Sequence, residues 1–201
     1  MAVVRNPKDR AGLFGGGPDL PPGMKYAPEF IGLNEEKELL REIGNLILAE
    51  AQYRQYTARR RIVSYGGSYD FSAHKLKPAE PIPTFLLGLR DRIASWAAIP
   101  SQDFVHALIA EYSIGTQVGW HRDVPDFEVI CGISLAGWGR MSMRRYPPNQ
   151  AGPKTTLALE LSPRSAYCLR DEARWGWQHC IRPVKEVRYS ITFRTGNSSR
   201  R

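Results

Sequence analysis

Residues 188–194 read Arg188-Tyr189-Ser190-Ile191-Thr192-Phe193-Arg194, and their alternation of polar and apolar side chains is that of a half-buried strand. Successive side chains on a strand point to opposite faces, so Arg188, Ser190, Thr192 and Arg194 share one face by parity. A single strand can therefore line a pocket with two cations and two hydroxyls. Working back from it, short runs of the same kind recur at residues 106–112, 117–121, 129–135, 140–146, 155–161, 166–169 and 180–184, and the last run extends over 187–195. Runs this short, broken by Gly and Pro turns, predict a mostly β protein with flanking helices around a jelly-roll core.

The second informative stretch is Gly119-Trp120-His121-Arg122-Asp123. His121 and Asp123 stand two apart, so on extended chain they face the same way. Val124-Pro125 follows, which places the pair at a strand end. Trp177-Gln178-His179 offers a second imidazole from a distant part of the chain. Two imidazoles and one carboxylate on one side of a metal leave its other positions open, which suits a non-haem Fe(II) that also binds a co-substrate and O2. His74 and His106 lack such company and read as structural or surface residues. Trp120 points away from His121 and is expected in the core. Trp175 and Trp177 lie on the approach to His179, either as wall packing or as rings that stack on a substrate base.

Taken together, Ala110-Glu111-Tyr112-Ser113-Ile114-Gly115, Trp120 to Asp123, Trp177-Gln178-His179-Cys180-Ile181-Arg182-Pro183 and Arg188 to Arg194 resemble, in order and spacing, the AlkB-like family of Fe(II)- and 2-oxoglutarate-dependent dioxygenases. The resemblance spans residues 105–195. It implies the double-stranded β-helix form of the jelly-roll fold, the cofactors Fe(II), 2-oxoglutarate and O2, and oxidative dealkylation (demethylation) of nucleobases in DNA or RNA with release of formaldehyde, succinate and CO2. It also implies His121, Asp123 and His179 as metal ligands, and Tyr112, Arg188, Ser190 and Arg194 around the co-substrate. Arg188 is matched to the distal carboxylate, a partner that a guanidinium meets through two parallel hydrogen bonds, and Arg194 lies nearer the chelating end. Two positions depart from the family pattern: Ala110 stands where Asn is common, and Pro125 where DNA-repair members can carry an acid that reads the base. The same chemistry on a protein or small molecule, and a non-catalytic nucleic-acid-binding jelly roll, remain alternative readings.

The chain has 201 residues, a one-domain length, with 28 Lys and Arg against 20 Asp and Glu and a net charge of +8. That balance favours anionic partners, because cations facing phosphates release condensed counterions. Cys131, Cys168 and Cys180 lack metal-finger spacing and read as buried free thiols. No run of about 20 apolar residues is present to span a bilayer, and the expected compartment is the cytoplasm.

Residues 1–23 are rich in Gly and Pro and are expected to form a flexible tail or a strap, and 196–201 a disordered tail. Between them, residues 24–195 are expected to form one dioxygenase domain, with strands, helices and a nucleotide-recognition lid over 24–103 and the jelly roll over 104–195. Residues 24–31 read as a strand. Asn34 reads as the cap of an amphipathic helix reaching about Gln52, and residues 84–96 as a helix after Pro83. Between these helices, Tyr53, Tyr56, Tyr65 and Tyr69 interleave with Arg54, Arg59, Arg60 and Arg61. Rings that stack on bases beside guanidiniums that hold phosphates suit a nucleic-acid contact. The same pattern also fits a hairpin with tyrosines inside and arginines in water. Farther on, Trp138, Arg140, Arg144 and Arg145 are candidates for a phosphate-binding rim.

Overall fold

The computed structural model describes residues 20–53, 56–70, 75–77, 79–148 and 156–197, the side chains among 51–59 and 68–78 excepted. The order of elements is β1 (Met24–Ala27), α1 (Leu33–Gly44), β2 (Ala49–Tyr53), β3 (Tyr56–Tyr65), β4 (Ser68–Asp70), β5 (Lys75–Lys77) and α2 (Thr84–Ala97). There follow β6 (Phe104–Tyr112), β7 (Val118–His121), β8 (Phe127–Ala136), β9 (Gly139–Arg145), β10 (Thr156–Leu161) and β11 (Ala166–Leu169). The chain ends with α3 (Asp171–Trp175), β12 (Trp177–Ile181) and β13 (Arg188–Gly196). A seven-stranded antiparallel sheet, β1-β11-β8-β13-β6-β3-β2, faces a four-stranded one, β10-β9-β12-β7, and β4 pairs with β5 alone. All eight expected strands are present, and the paired sheets are the two walls of the jelly roll.

Strand parity assigns the layers. Ile191 and Phe193 on β13 join Ile109, Ile133 and the buried faces of α1 and α2, notably Leu39, Ile43, Leu86, Leu89 and Ile93, in one apolar cluster. The helices thus cover the outer face of the large sheet. Ala110, Tyr112, Ile130, Met141, Met143, Leu161, Tyr167 and Trp177 form a second cluster between the sheets. Arg188, Ser190, Thr192 and Arg194, one residue out of phase with Ile191 and Phe193, therefore face the space between the two walls, where a polar pocket interrupts the apolar filling. β8 is buried over nearly its whole length because both of its faces are covered.

Several local expectations are corrected. The first helix stops at Gly44, and its cap is Gly32 with no side-chain bond, so Asn34 lies inside the first turn. Glycine weakens the helix where it ends, and the Asn45 and Leu46 N–H groups close it on the carbonyls of Glu42 and Ile43. The apolar residues that extended the helical spacing serve otherwise: Leu46 and Leu48 pack on the core, whereas Ile47 is 93% exposed. β1 ends at Ala27, and the last-but-one strand runs over 177–181 where 180–184 was expected, because its register is fixed by pairing His179 with both His121 and Met143. Trp120 is half-exposed on the outside of the small sheet and not in the core. Of the N-terminal stretch, Met24 N–H bonds the Pro21 carbonyl, and Pro22 and Gly23 carbonyls accept from Ala173 and Arg170. Residues 1–19 and 198–201 lie outside the described residues. Cys131, Cys168 and Cys180 are free and buried, and among the described residues no helix is long and apolar enough to cross a membrane.

Two glycines make room for cavity residues. A Cβ at Gly132 would stand 2.4 Å from the Tyr167 ring, and one at Gly139 would stand 2.7 Å from Arg188 Nε. Tyr167 is held between sheets and cannot swing away freely, so Gly132→Ala is expected to cost about 1–3 kcal/mol through overpacking. A thermal melt followed by circular dichroism reads this as a drop of several degrees; an unchanged midpoint would mean that the Tyr167 ring has slack.

Candidate active site

The antiparallel register of β12 on β7 places His179 directly opposite His121, and their ring centroids are 4.3 Å apart. The chain leaves β7 after His121 and brings Asp123 back to the same place, with Asp123 Oδ2 3.7 Å from His179 Nε2. One ligand atom from each of the three residues lies within 4.8 Å of the others. Nitrogen and oxygen ligands sit about 2.0–2.2 Å from a first-row ion, hence at most about 4.4 Å from each other, so small side-chain rotations bring all three onto one metal.

The groups around the cluster fix its chemistry. His121 Nδ1 lies 2.8 Å from the Gly119 carbonyl; an N–H donated there leaves Nε2 bare for a metal. Arg194 donates from Nε and Nη2 to Asp123 Oδ1 at 3.2 and 3.1 Å, leaving Oδ2 free on the metal side. Burial alone would push the Asp123 carboxyl up, but Arg194, followed by His179, His121 and Arg174, outweighs it and holds the carboxyl well below the usual carboxylate range. Burial, with His121 nearby and against the pull of Asp123, lowers His179 to about 3. At neutral pH its imidazole has no proton for a metal to displace.

Two residues in this ring carried no sequence signal. His106, read from sequence as structural or surface, is buried and lies with Nδ1 3.3 Å from Arg194 Nη1. Burial first, then Arg194, lowers its pKa to about 3, so it is neutral and accepts the Arg194 bond. Arg174 is buried under the ligand turn, its Nη2 donating to the carbonyls of Asp123, Val124 and Phe127 at 3.2, 2.9 and 2.8 Å. Apolar Leu108 and Ala110 separate His106 from Tyr112 on the same face of β6, so no polar recurrence flags it; nothing in the sequence flags a backbone clamp such as Arg174.

The cluster opens into a cavity of about 40 Å³ lined also by Arg60, Tyr112, Tyr167, Arg188, Ser190 and Arg194. Cross-strand register sets Tyr112 opposite Arg188, whose guanidinium lies 4.9 Å from the Tyr112 ring centroid. Burial would raise the Tyr112 phenol, yet Arg60 and Arg188, with hydrogen bonds from Arg60 and Ser190, hold it below its ordinary value. Arg188 is 1% exposed. Its Nε donates to Ser134 Oγ at 2.9 Å, while Nη1 is buried without any hydrogen-bond partner among the described residues. A buried guanidinium nitrogen left unpaired is costly, and a carboxylate lying in the cavity supplies what it lacks. The donor set therefore fits both a metal with open positions and an anionic acid beside it.

The other residues expected at the substrate separate. Arg60 reaches the cavity. Arg61, its neighbour on β3, faces the other way and forks onto Glu111 at 2.7–2.9 Å, an ion pair shared with the Tyr189 hydroxyl. Tyr65 packs against the helical core cluster. Trp177 is buried in the cluster between the sheets, donates to Glu172 at 3.3 Å and is covered by Arg145, so it is not among the residues lining the cavity. The side chains of Arg59 and Tyr69, and His74 altogether, lie outside the described residues.

A jelly roll carrying two imidazoles and a carboxylate at the mouth of a cation-lined cavity defines a class of metal-dependent oxygenases, and the comparisons agree. The chain matches the 2OG-Fe(II) oxygenase superfamily over residues 23–194. A relative named alkylated DNA repair protein ALKBH8 homolog, from Arabidopsis thaliana, is 28% identical over 181 residues, covering 80% of this chain and 51% of its own length. The chain thus spans about half the length of that relative. A second, named probable RNA/DNA demethylase ALKBH6, from Danio rerio, is 27% identical over 177 residues, covering 84% of this chain and 73% of its own. The solved structure of OsALKBH1 superposes with a TM-score of 0.67 over 88% of this chain and 99% of that one, at 14% identity, a likeness of fold. The chain belongs to the 2OG-Fe(II) oxygenase superfamily, as an AlkB-like member. Enzymes of this family are dioxygenases that use Fe(II), 2-oxoglutarate and O2.

Because Arg194 keeps the ligating carboxylate ionised, Arg194→Gln is expected to weaken Fe(II) binding about 10- to 100-fold, measured without co-substrate by competition against a chromogenic chelator. The deficit should widen as pH falls, since the Asp123 carboxyl then titrates higher and protons compete with the metal. Equal affinities at all pH values would remove Arg194 from this role.

Proposed function

We propose that the protein oxidatively dealkylates nucleobases in nucleic acid, with residues 24–195 acting as one dioxygenase domain and Arg60 presented from the strands before the jelly roll. In this reading His121, Asp123 and His179 hold Fe(II), and Arg188 grips the distal carboxylate of 2-oxoglutarate with Tyr112 and Ser190 beside it. Arg194 positions Asp123 and stands near the chelating end. The observation that carries the reading is the buried, unpartnered Nη1 of Arg188 in the same cavity as the three candidate ligands. When bound, Fe(II) and 2-oxoglutarate supply the oxidising chemistry: one atom of O2 ends in succinate with loss of CO2, and the other in the substrate. A hydroxylated methyl on nitrogen then leaves as formaldehyde and frees the base.

What the chain itself contributes is placement. The turn carrying Asp123 is locked by Arg174 and the carboxylate by Arg194, and since the cavity lies between the two sheets a base must be flipped out or single-stranded to reach it. The net charge of +8 supports an anionic substrate, as do the relatives named for nucleic-acid repair and demethylation. Arg60, at the cavity wall and bonded to Tyr112, is the substrate contact retained from the tyrosine and arginine stretch. The free, buried thiols suit a reducing compartment, and we place the protein in the cytoplasm.

Anaerobic addition of Fe(II) and 2-oxoglutarate is expected to give a charge-transfer absorbance band. Aerobic incubation with methylated single-stranded oligonucleotides should yield formaldehyde and succinate in equal amounts. Arg188→Ala leaves the carboxylate without its buried partner, a loss of about 2–5 kcal/mol that reads as roughly a 30-fold or greater rise in the KM for 2-oxoglutarate. Succinate formed without loss of methyl from any oligonucleotide would overturn the substrate, and an unmoved KM in Arg188→Ala would overturn the co-substrate anchor.

A further inference from the structure

The outer face of the small sheet, opposite the cavity, carries three arginines, Arg122, Arg144 and Arg182, that no carboxylate among the described residues neutralises. β9 has one residue row on this face: Arg140, Ser142 and Arg144 by parity, with Trp138 and Tyr146 in phase just beyond its two ends. Trp138 is 54% and Tyr146 40% exposed, and the seven-residue strand between them is about 20 Å long. Arg144 lies across the Trp120 ring at 4.4 Å from its centroid, Arg182 reaches the same ring at 5.9 Å, and Arg122 lies over Tyr146 at 3.8 Å.

The partners of these three guanidiniums are neutral. Arg144 donates to the Gln178 amide oxygen at 3.0 Å, Arg182 to Ser142 Oγ at 3.1 Å, and Arg122 to the Trp175 carbonyl at 3.0 Å. None of the three is ion-paired with a carboxylate among the described residues, in contrast to Arg140 on Glu160 and Arg145 on Glu172 at the margins. Each is therefore held flat in a fixed place with its charge unspent. Stacked, preoriented guanidiniums lose little freedom on meeting phosphate oxygens, and partly exposed rings among them offer faces to bases.

We propose that this face, Trp120, Arg122, Arg144, Tyr146 and Arg182, is a second nucleic-acid surface that binds the backbone of a single strand outside the reacting nucleotide. It lies back to back with the candidate metal site: His121 and His179 point inward from the same strands whose neighbours Trp120, Arg122 and Gln178 point outward. The partner's identity rests on the nucleic-acid reading above, and the test separates the two.

The experiment measures fluorescence anisotropy of a labelled, unmethylated deoxythymidine oligonucleotide against the full chain at salt concentrations from about 50 to about 300 mM. Wild-type protein should bind with affinity falling as salt rises. Arg144→Gln/Arg182→Gln should lower the magnitude of the log–log salt slope by about 1.4, at about 0.7 for each phosphate left without its cation, and weaken binding severalfold at low salt. Its Fe(II) and 2-oxoglutarate absorbance titration should match wild type, showing that the fold and cavity are intact. Arg144→Lys/Arg182→Lys keeps the charge and should keep most of the slope. If the glutamine pair does not fold, Arg182→Glu, altered beyond the end of β12, carries the same expectation for a single phosphate. Wild-type binding with an unchanged slope in the glutamine variant overturns this surface and leaves the dealkylation reading standing. Absence of wild-type binding to any oligonucleotide overturns both.

Discussion

A carboxylate that must stay charged in a place poor in water is the constraint around which this molecule is arranged. Asp123 has a side chain only 11% exposed, and burial by itself would protonate it. Arg194 prevents that, and Arg194 can do so only because β13 lies in the middle of the large sheet between β8 and β6. A guanidinium on a central strand is supported on both sides, while His106 from β6 accepts one of its remaining N–H groups. The pairing of one arginine with one aspartate therefore ties the large sheet to the end of the small one. A buried pair of this kind adds little net stability because both ions lose their hydration; its value lies in holding an ionised ligand at a defined position.

Much of this was legible in the sequence because strands have a period of two. The parity of residues 188–194 assigned Arg188, Ser190, Thr192 and Arg194 to one face, and the structure turns that face between the sheets. The eight short runs and the shared face of His121 and Asp123 followed from patterns with the same periodicity, while His179 as their partner followed from the family resemblance. Failures came where another signal decided. Trp120 was placed in the core because it points away from His121, yet that face is the outside of the small sheet, where its ring lies under two arginines, a place that aromatic–cation contact makes comfortable. The first helix was extended past Gly44 because Leu46 and Ile47 keep the helical spacing, although they lie in the turn toward an edge strand. The interleaved tyrosines and arginines divided as a strand must divide them, Arg60 to the cavity and Arg61 to Glu111, so neither a wholly functional nor a wholly solvated reading describes them. His106 and Arg174 were out of reach, since the partners that give them meaning are distant residues and backbone carbonyls.

The two faces of the small sheet share their positioning. β12 is aligned on both sides, with His179 opposite His121 on β7 and Gln178 opposite Arg144 on β9, and the bond that Arg144 donates to Gln178 orients its guanidinium over Trp120. Any shift of β12 by one residue would exchange the inner set for the outer one. The His-Asp-His cluster and the arginine row thus both depend on where β12 sits between β7 and β9, and the His179↔Met143 pairing fixes it on the β9 side.

β7 is a border strand, four residues long and paired only with β12 among the described residues. Border strands are the least tethered parts of a sheet, open along one side. Since His121 ends this strand and Asp123 follows it, an ion shared with His179 acts as a clasp along the side that has no neighbouring chain. Loading the metal then does more than equip the cavity for chemistry: it hems the small sheet, making amide protection along Val118–His121 a gauge of occupancy.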